Sequence, residues 1–288
     1  MYFMAGPLSY IIRPIYEWTQ NYGITLILAT IIIKLITIPL TLQSQKNMAK
    51  TQIIQPEMNK LQAKYKNDRE KLAIEMQKLY KQYDVNPMGG CLPLIIQMIL
   101  LFGFIGVVYH PFEYILRMSK GEISSLAAMV GVDGRNEMYL WGKEGINEAL
   151  TSMGKGLINF NFFGIDLTKL PKNAPTEWTV WIFPALATIS TILSGYMTKK
   201  QQPKPAVKDG QEVPNPGTTM LKIMPFITAF FTYTMPIGMS LYWTVSTIVQ
   251  LIQQAIMNKF VNEKIQAQIT DKRKEVEEKK EQRHHKKH

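Results

Sequence analysis

Five stretches of the chain are almost wholly apolar, and charged segments separate them. They run from Tyr22 to Leu42, Cys91 to Tyr109, Trp178 to Thr198, Ile223 to Met235 and Gly238 to Met257. About 20 apolar residues in a helix span the roughly 30 Å of a bilayer's hydrocarbon. The pattern predicts an all-α membrane protein with five transmembrane helices. The second run follows the turn Asn86-Pro-Met-Gly-Gly90, and Pro236-Ile237 between the last two reads as a tight helical hairpin. The fourth run is short, about 13 residues or roughly 20 Å of helix. Lys222 stands at its inner end, placed to snorkel. So short a span implies a locally thinned bilayer or a helix shielded by its neighbours.

Between the first two runs the periodicity changes. Ile54, Met58, Leu61 and Tyr65 are spaced four, three and four apart, and Leu72, Met76, Leu79 and Tyr83 repeat the spacing after Asn67-Asp68. Two narrow stripes joined by a turn and N-cap signal predict an antiparallel helical hairpin over 43–90, zipped like a coiled coil. Pro56 suits the first turn of its first helix. The competing reading lays both helices flat on anionic lipid. In 110–177, Leu116, Leu126, Met129 and Trp141 are candidate anchors of short interfacial helices. The stretch Asn159–Asp166 reads equally as extended chain or as a re-entrant turn. Pro203, Pro205, Pro214 and Pro216 mark residues 199–217 of the 199–222 loop as mobile, and the tail after Asn258 begins as a continuation of the last helix and frays toward His288.

Charge orients the spans. Residues 43–90 carry nine Lys/Arg against five Asp/Glu, 199–222 five against two, and 258–288 ten against six. On the other side, 1–21 is balanced at one and one, and 110–177 carries seven against eight. The positive-inside rule places the N-terminus outside and the C-terminus in the cytoplasm, which makes the 43–90 hairpin cytoplasmic and the 110–177 loop extracellular. Mean hydropathy near zero (−0.06) and a net charge of +11 over 288 residues average these opposites. Cys91 is the single cysteine, which excludes an intrachain disulfide. Residues 1–20 carry no cleavable-signal pattern.

One residue breaks the apolar pattern. Lys34 lies near the middle of the first run. A cation at a bilayer's midplane costs roughly 2.5–3.5 kcal/mol on insertion scales. It stands roughly 12 Å from the Leu42 end, beyond a lysine's reach of roughly 6 Å. No Asp or Glu lies in the other apolar runs, so Lys34 lacks an obvious internal partner, which favours a wet cavity or an acidic substrate over a lysine that simply drags water and lipid headgroups inward. Gln97, Thr188, Thr191, Trp243 and Ser246 are the polar residues best placed to line one groove with Lys34, helped by Thr30, Thr37, Ser190, Ser194, Thr244, Thr247 and Gln250. Taken singly, each is an ordinary helix-bonded polar residue.

Enzyme signals are weak. Gly154-Lys155-Gly156 lacks the rest of a phosphate loop. No Cys or His cluster has metal-ligand spacing, and His284 and His288 belong to a solvated Lys-rich tail. No catalytic, metal or cofactor site is expected. An intramembrane serine protease would use Ser240, but His110 is the only histidine near a span, and Ser240 reads more simply as a helix N-cap.

Several motifs, in order, carry a resemblance. They are Ile33-Lys34-Leu-Ile-Thr-Ile-Pro39-Leu-Thr, Gln55-Pro56-Glu57, Tyr65-Lys-Asn-Asp68, Asn86-Pro-Met-Gly-Gly-Cys91-Leu-Pro-Leu-Ile-Ile-Gln97 and Leu241-Tyr-Trp-Thr244. Over about Tyr22 to Phe260 the chain resembles the YidC/Oxa membrane protein insertases. The resemblance implies a five-helix core, a cytoplasmic helical hairpin, and a groove open to cytoplasm and lipid but closed outside. Lys34 falls where many members carry arginine, which keeps the charge and weakens a bidentate carboxylate clamp. Gln97 and Trp243 fall on groove-lining positions. With Cys91 the single cysteine, the expectation is a member without the lipidated cysteine that starts many Gram-positive relatives and without the large outside domain of Gram-negative ones.

The expected function is insertion. Lys34 attracts a hydrophilic, often acidic segment of a nascent membrane protein, the groove hydrates it, and apolar segments pass into the bilayer. The expected location is a bacterial cell membrane. Expected partners are nascent membrane proteins and the lipid bilayer, with the ribosome, through the basic tail and the hairpin, and a Sec translocon as further ones. The tail reads equally as a topology signal with lipid contact. The rival is a small-solute or ion transporter, which would need inverted repeats or broken midplane helices; no internal repeat is visible.

Overall fold

The computed structural model describes residues 4–86, 92–132, 137–201, 207–208, 211–212, 216–260, 267–272 and 274–275. The 87–90 turn, Cys91, Pro203, Pro205, Pro214 and the tail histidines lie outside them. The elements are α1 (Ala5–Thr19), α2 (Tyr22–Ile36), α3 (Ile38–Lys64), α4 (Arg69–Gln82), α5 (Leu92–Tyr109), α6 (Pro111–Tyr114), α7 (Lys120–Met129), α8 (Ile146–Ser152), the hairpin β1 (Asn161–Phe162) and β2 (Ile165–Asp166), α9 (Ile182–Gln201), the hairpin β3 (Val207–Lys208) and β4 (Gln211–Glu212), α10 (Pro216–Thr234) and α11 (Ile237–Phe260). Contacts divide the chain into two units. One holds Met1–Ile36, Ile96–Ser194 and Ile223–Val249; the other holds Thr37–Ile95, Gly195–Lys222 and Gln250–His288.

Several elements differ from the sequence reading. The apolar run 22–42 is two helices with Thr37 between them. Pro39, which lacks an N–H, occupies the first turn of α3, where no intrahelical partner is required of it. Pro56 sits inside α3 rather than at a helix start, because α3 begins at Ile38. The apolar 223–235 run belongs to the longer helix α10, which starts at Pro216. Part of the supposed loop before it pairs as β3 and β4. Among the described residues, Trp178–Lys199 is long and apolar enough to cross a membrane by itself; Tyr22–Ile36 with Ile38–Thr51 qualifies as a pair, and Ile95–Tyr109 is a shorter apolar helix. On α9, Leu186, Ile189, Ile192 and Leu193 are exposed, and on α10 Phe226 and Phe230 are. Apolar side chains turned outward over successive turns suit a lipid solvent.

In the first unit, α1 buries Ala5, Leu8, Ile12 and Tyr16, a helical stripe, and packs along α2. Gln20 ends α1 in the left-handed conformation, its N–H bonded to the Tyr16 carbonyl. A cap of short elements from α6 to the 3₁₀ turn Trp178–Trp181 covers these helix ends. Leu126, Leu140, Leu150 and Leu167 fill its core. Asn159–Asp166 is extended, and Phe163 and Gly164, both at positive φ, make the two-residue turn of β1–β2. Phe162 reaches so close to α2 that a Cβ on Gly23 would stand 2.4 Å from its ring. Main-chain bonds tie the cap down: Tyr22 N–H donates to Asn159 O, Ile237 N–H to Lys169 O and Gly238 N–H to Leu167 O. Leu126 is fully buried in this cap, Leu116 and Trp141 pack half-buried against its core, and Met129 is exposed.

In the second unit, α3 and α4 fold back on each other through the turn Tyr65–Asp68. Asp68 caps α4, its Oδ1 accepting the Lys71 N–H at 2.9 Å. Ile54, Met58, Leu79, Tyr83 and Val85 form the shared core, flanked by Leu61 and Met76. Tyr83 donates its hydroxyl hydrogen to Glu57 at 3.2 Å. Ile269 of the tail completes that core, 2% exposed, and Lys272 pairs with Asp84. The tail is thus docked at Ile269 and Lys272, and the fraying expected toward His288 falls outside the described residues.

Candidate intramembrane polar site

Four helices supply the polar residues of the first unit. On α2, Leu26, Thr30, Ile33 and Lys34 are buried together while Ile32, Leu35 and Ile36 face outward. Lys34 donates from Nζ to Gln97 Oε1 at 2.9 Å. The expectation that this cation lacks an internal partner is thereby corrected: the partner is a neutral amide, which a search for acidic residues passes over. Gln97 uses both ends of its amide. Its Nε2 donates to Tyr242 Oη at 3.3 Å and approaches Ser246 Oγ at 3.5 Å. Tyr242 and Ser246 are one turn apart on α11. Gln97 and Phe104 are two turns apart on α5, and the Tyr242 ring stacks on Phe104 with centroids 4.2 Å apart.

A second polar contact lies on α11's next residue, directed about 100° around the helix. Trp243 donates from Nε1 to Thr191 Oγ1 on α9 at 3.3 Å. The Thr191 hydroxyl hydrogen goes to its own helix, at Ala187 O, 2.9 Å away. Thr188 bonds Pro184 O, Ser190 bonds Ala187 O and Thr30 bonds Leu26 O. The structure thus joins Lys34, Gln97 and Ser246 in one network and Thr191 with Trp243 in another, and Thr188 in neither. Tyr242, absent from the expected site, links the first network; its hydroxyl one turn before Ser246 was the available signal. Thr244 also joins α11 to α9, its hydroxyl 3.4 Å from Phe183 O.

Ser240 is not an N-cap. It lies in the first turn of α11, fully buried, and its Oγ has no hydrogen-bond partner, so no base addresses it. His110 instead faces Glu137.

Apolar helices that bury a lysine hydrogen-bonded to a side-chain amide suit the class of helical membrane proteins. Residues 14–265 match the family described as 60Kd inner membrane protein, and the chain belongs to that family. It is similar to the membrane protein insertase YidC of Treponema denticola, at 32% identity over 254 residues, 88% of this chain and 37% of that protein. The corresponding protein of Syntrophobacter fumaroxidans is 30% identical over 89% of this chain and 38% of its own length. That of Chlorobaculum tepidum is 32% identical over 92% and 37%. The chain spans about two fifths of the length of the curated relatives it matches.

Proposed function

We propose that this chain is a membrane protein insertase whose working site is the Lys34–Gln97–Tyr242–Ser246 network. The observation that carries the reading is a buried ammonium held by a neutral carbonyl. Gln97 accepts a hydrogen bond from Lys34 without neutralising it. A client carboxylate forms the stronger, charge-assisted bond, so it displaces the amide and gains a positive charge inside the membrane. Gln97, Tyr242 and Ser246 then hydrate the client's remaining polar groups, lowering the cost of carrying them into lipid. Thr188, Thr191 and Trp243 extend the polar wall of the groove along α9 and α11. Apolar client segments leave sideways, past the exposed faces of α9 and α11, and partition into the bilayer. The apolar 223–235 part of α10 thins the bilayer beside the groove.

The topology in this reading has five spans, an extracellular N-terminus and cap, and a cytoplasmic C-terminus. It puts the α3–α4 hairpin and the basic tail in the cytoplasm of a bacterial cell, where nascent chains, the ribosome and a Sec translocon meet the protein. The names of the relatives support insertion; the charge asymmetry supports the orientation. A photocrosslinker at Gln97 tests the site. Stalled nascent membrane proteins should crosslink to it, acidic ones most, and the yield should fall when Lys34 is neutralised. Crosslinks to lipid alone would refute the assignment, and solute flux through liposomes in their place would favour the transporter.

A further inference from the structure

At the end of α5 the chain turns through His110 into α6, and Glu113 follows three residues later on the same face. Glu137, from the 3₁₀ turn Glu137–Leu140, closes on this pair. One ligand atom from each of the three lies within 4.8 Å of the other two. Glu137 is buried, and its Oε2 accepts the Phe112 N–H at 2.8 Å. Its Oε1 stands 3.4 Å from His110 Nδ1. Two ligands held about 2.1 Å from one tetrahedral ion stand about 3.4 Å apart, which is the spacing found.

Charge points the same way. A second carboxylate, Glu113, shares the cluster, and a dication offsets both charges.

We propose that His110, Glu113 and Glu137 form a binding site for a divalent first-row transition ion, with Zn²⁺ the best match. Imidazole with two carboxylates suits Zn²⁺ over Ca²⁺ and Mg²⁺, which take oxygen ligands. His110 is a quarter exposed, which gives an ion access and leaves a fourth position to solvent. The ion's role is structural: it pins the α5–α6 turn to the Glu137–Leu140 turn. Spacing along the chain gives no hint of such a cluster, because Glu137 is distant in sequence.

The test uses the full chain in detergent, purified without a histidine tag and carrying His284→Ala, His285→Ala and His288→Ala to silence the tail. After dialysis against a chelator, calorimetric titration with Zn²⁺ should give one site, and Zn²⁺ should raise the unfolding midpoint. Co²⁺ should give the visible d–d bands of a four- or five-coordinate ion. Glu113→Gln and His110→Gln should each weaken Zn²⁺ binding by about tenfold or more and remove the Co²⁺ bands. Their metal-free unfolding midpoints separate a lost ligand from a lost fold, and either variant suffices. No binding by the parent, or unchanged binding in a folded variant, overturns the proposal.

Discussion

Lys34→Leu separates what the cation does for the fold from what it does for a client. Lys34 is 8% exposed and gives Gln97 one hydrogen bond of 2.9 Å. Losing a charged hydrogen bond, with the Gln97 carbonyl left unmet, costs about 1.5–3 kcal/mol. Removing a cation from the membrane interior returns about 2.5–3.5 kcal/mol. The two nearly cancel, so Lys34→Leu should be as stable as the parent or up to about 2 kcal/mol more stable. Lys34→Ala adds a void and should be the less stable of the two. Insertion should move the other way. An acidic segment gains about 1–3 kcal/mol from Lys34, between a screened surface pair and a buried one. That corresponds to roughly 5- to 150-fold in the occupancy of the loaded state. The assay is insertion into proteoliposomes at matched protein levels, read by protease protection. Clients carry acidic tails or the same tails neutralised. Lys34→Arg should keep activity; Leu and Ala should lose it for acidic clients and retain most of it for neutral ones. Equal insertion by all four proteins would sink the recruitment mechanism. A leucine variant destabilised by more than about 3 kcal/mol would mean the cation holds the fold, contrary to the balance above.

Other outcomes follow from the cap, the hairpin and the charge pattern. Gly23→Ala puts a Cβ 2.4 Å from the Phe162 ring, itself packed on Phe163 and Phe183; thermal unfolding should show a loss of about 1–3 kcal/mol. Glu122 is held down to about 2 by the Lys155 hydrogen bond, then by Ser119, from an ordinary 4.5. Its folded value is depressed, so its hold on the start of α7 is full above about pH 4.5 and lost as pH falls toward 2. Protection of the α7 amides, corrected for intrinsic exchange, should fall over that window, and Glu122→Gln should abolish that fall. Ile269→Asp sets an unpaired charge in the α3–α4 core and should expose the tail to protease and speed exchange around Ile54; an unchanged cleavage pattern would argue against docking. With Cys91→Ser as background, a cysteine at residue 60 should resist labelling from outside intact cells, and labelling there would overturn the orientation.

The helical character was legible because apolar runs of this length have few other uses. The family was legible in the order of its motifs, and Lys34 and Gln97 were both marked before their bond was known. What escaped the sequence did so for local reasons. The break at Thr37 was signalled only by Pro39, which a span also tolerates. Pro56 looked like a helix start because nothing nearby announced that α3 begins at Ile38. Ser240 looked like a cap, yet the main-chain tie at Ile237 and Gly238 starts α11 earlier. The Asn159–Asp166 stretch stayed ambiguous because its two-residue turn, Phe163-Gly164, lacks the usual Asn-Gly or Asp-Gly signature. The docked tail was missed because Ile269 is a single apolar residue in a charged segment, too little to make a period.

The cap is fastened to the helices by peptide groups. Tyr22, Ile237 and Gly238 donate main-chain N–H bonds to the carbonyls of Asn159, Lys169 and Leu167. Every amino acid brings a carbonyl and every one but proline brings an N–H. These fasteners are therefore indifferent to most changes of sequence. A lineage can replace the side chains at Asn159 and Lys169 and still close the same lid, whereas Leu167 also fills the cap's core. Sequence identity of about three residues in ten to the relatives is compatible with such an attachment. Proline at 237 or 238 is the substitution it cannot absorb, since that residue alone removes the donor. Drift here is silent for a chemical reason, and the architecture can outlast most of the letters that encode it.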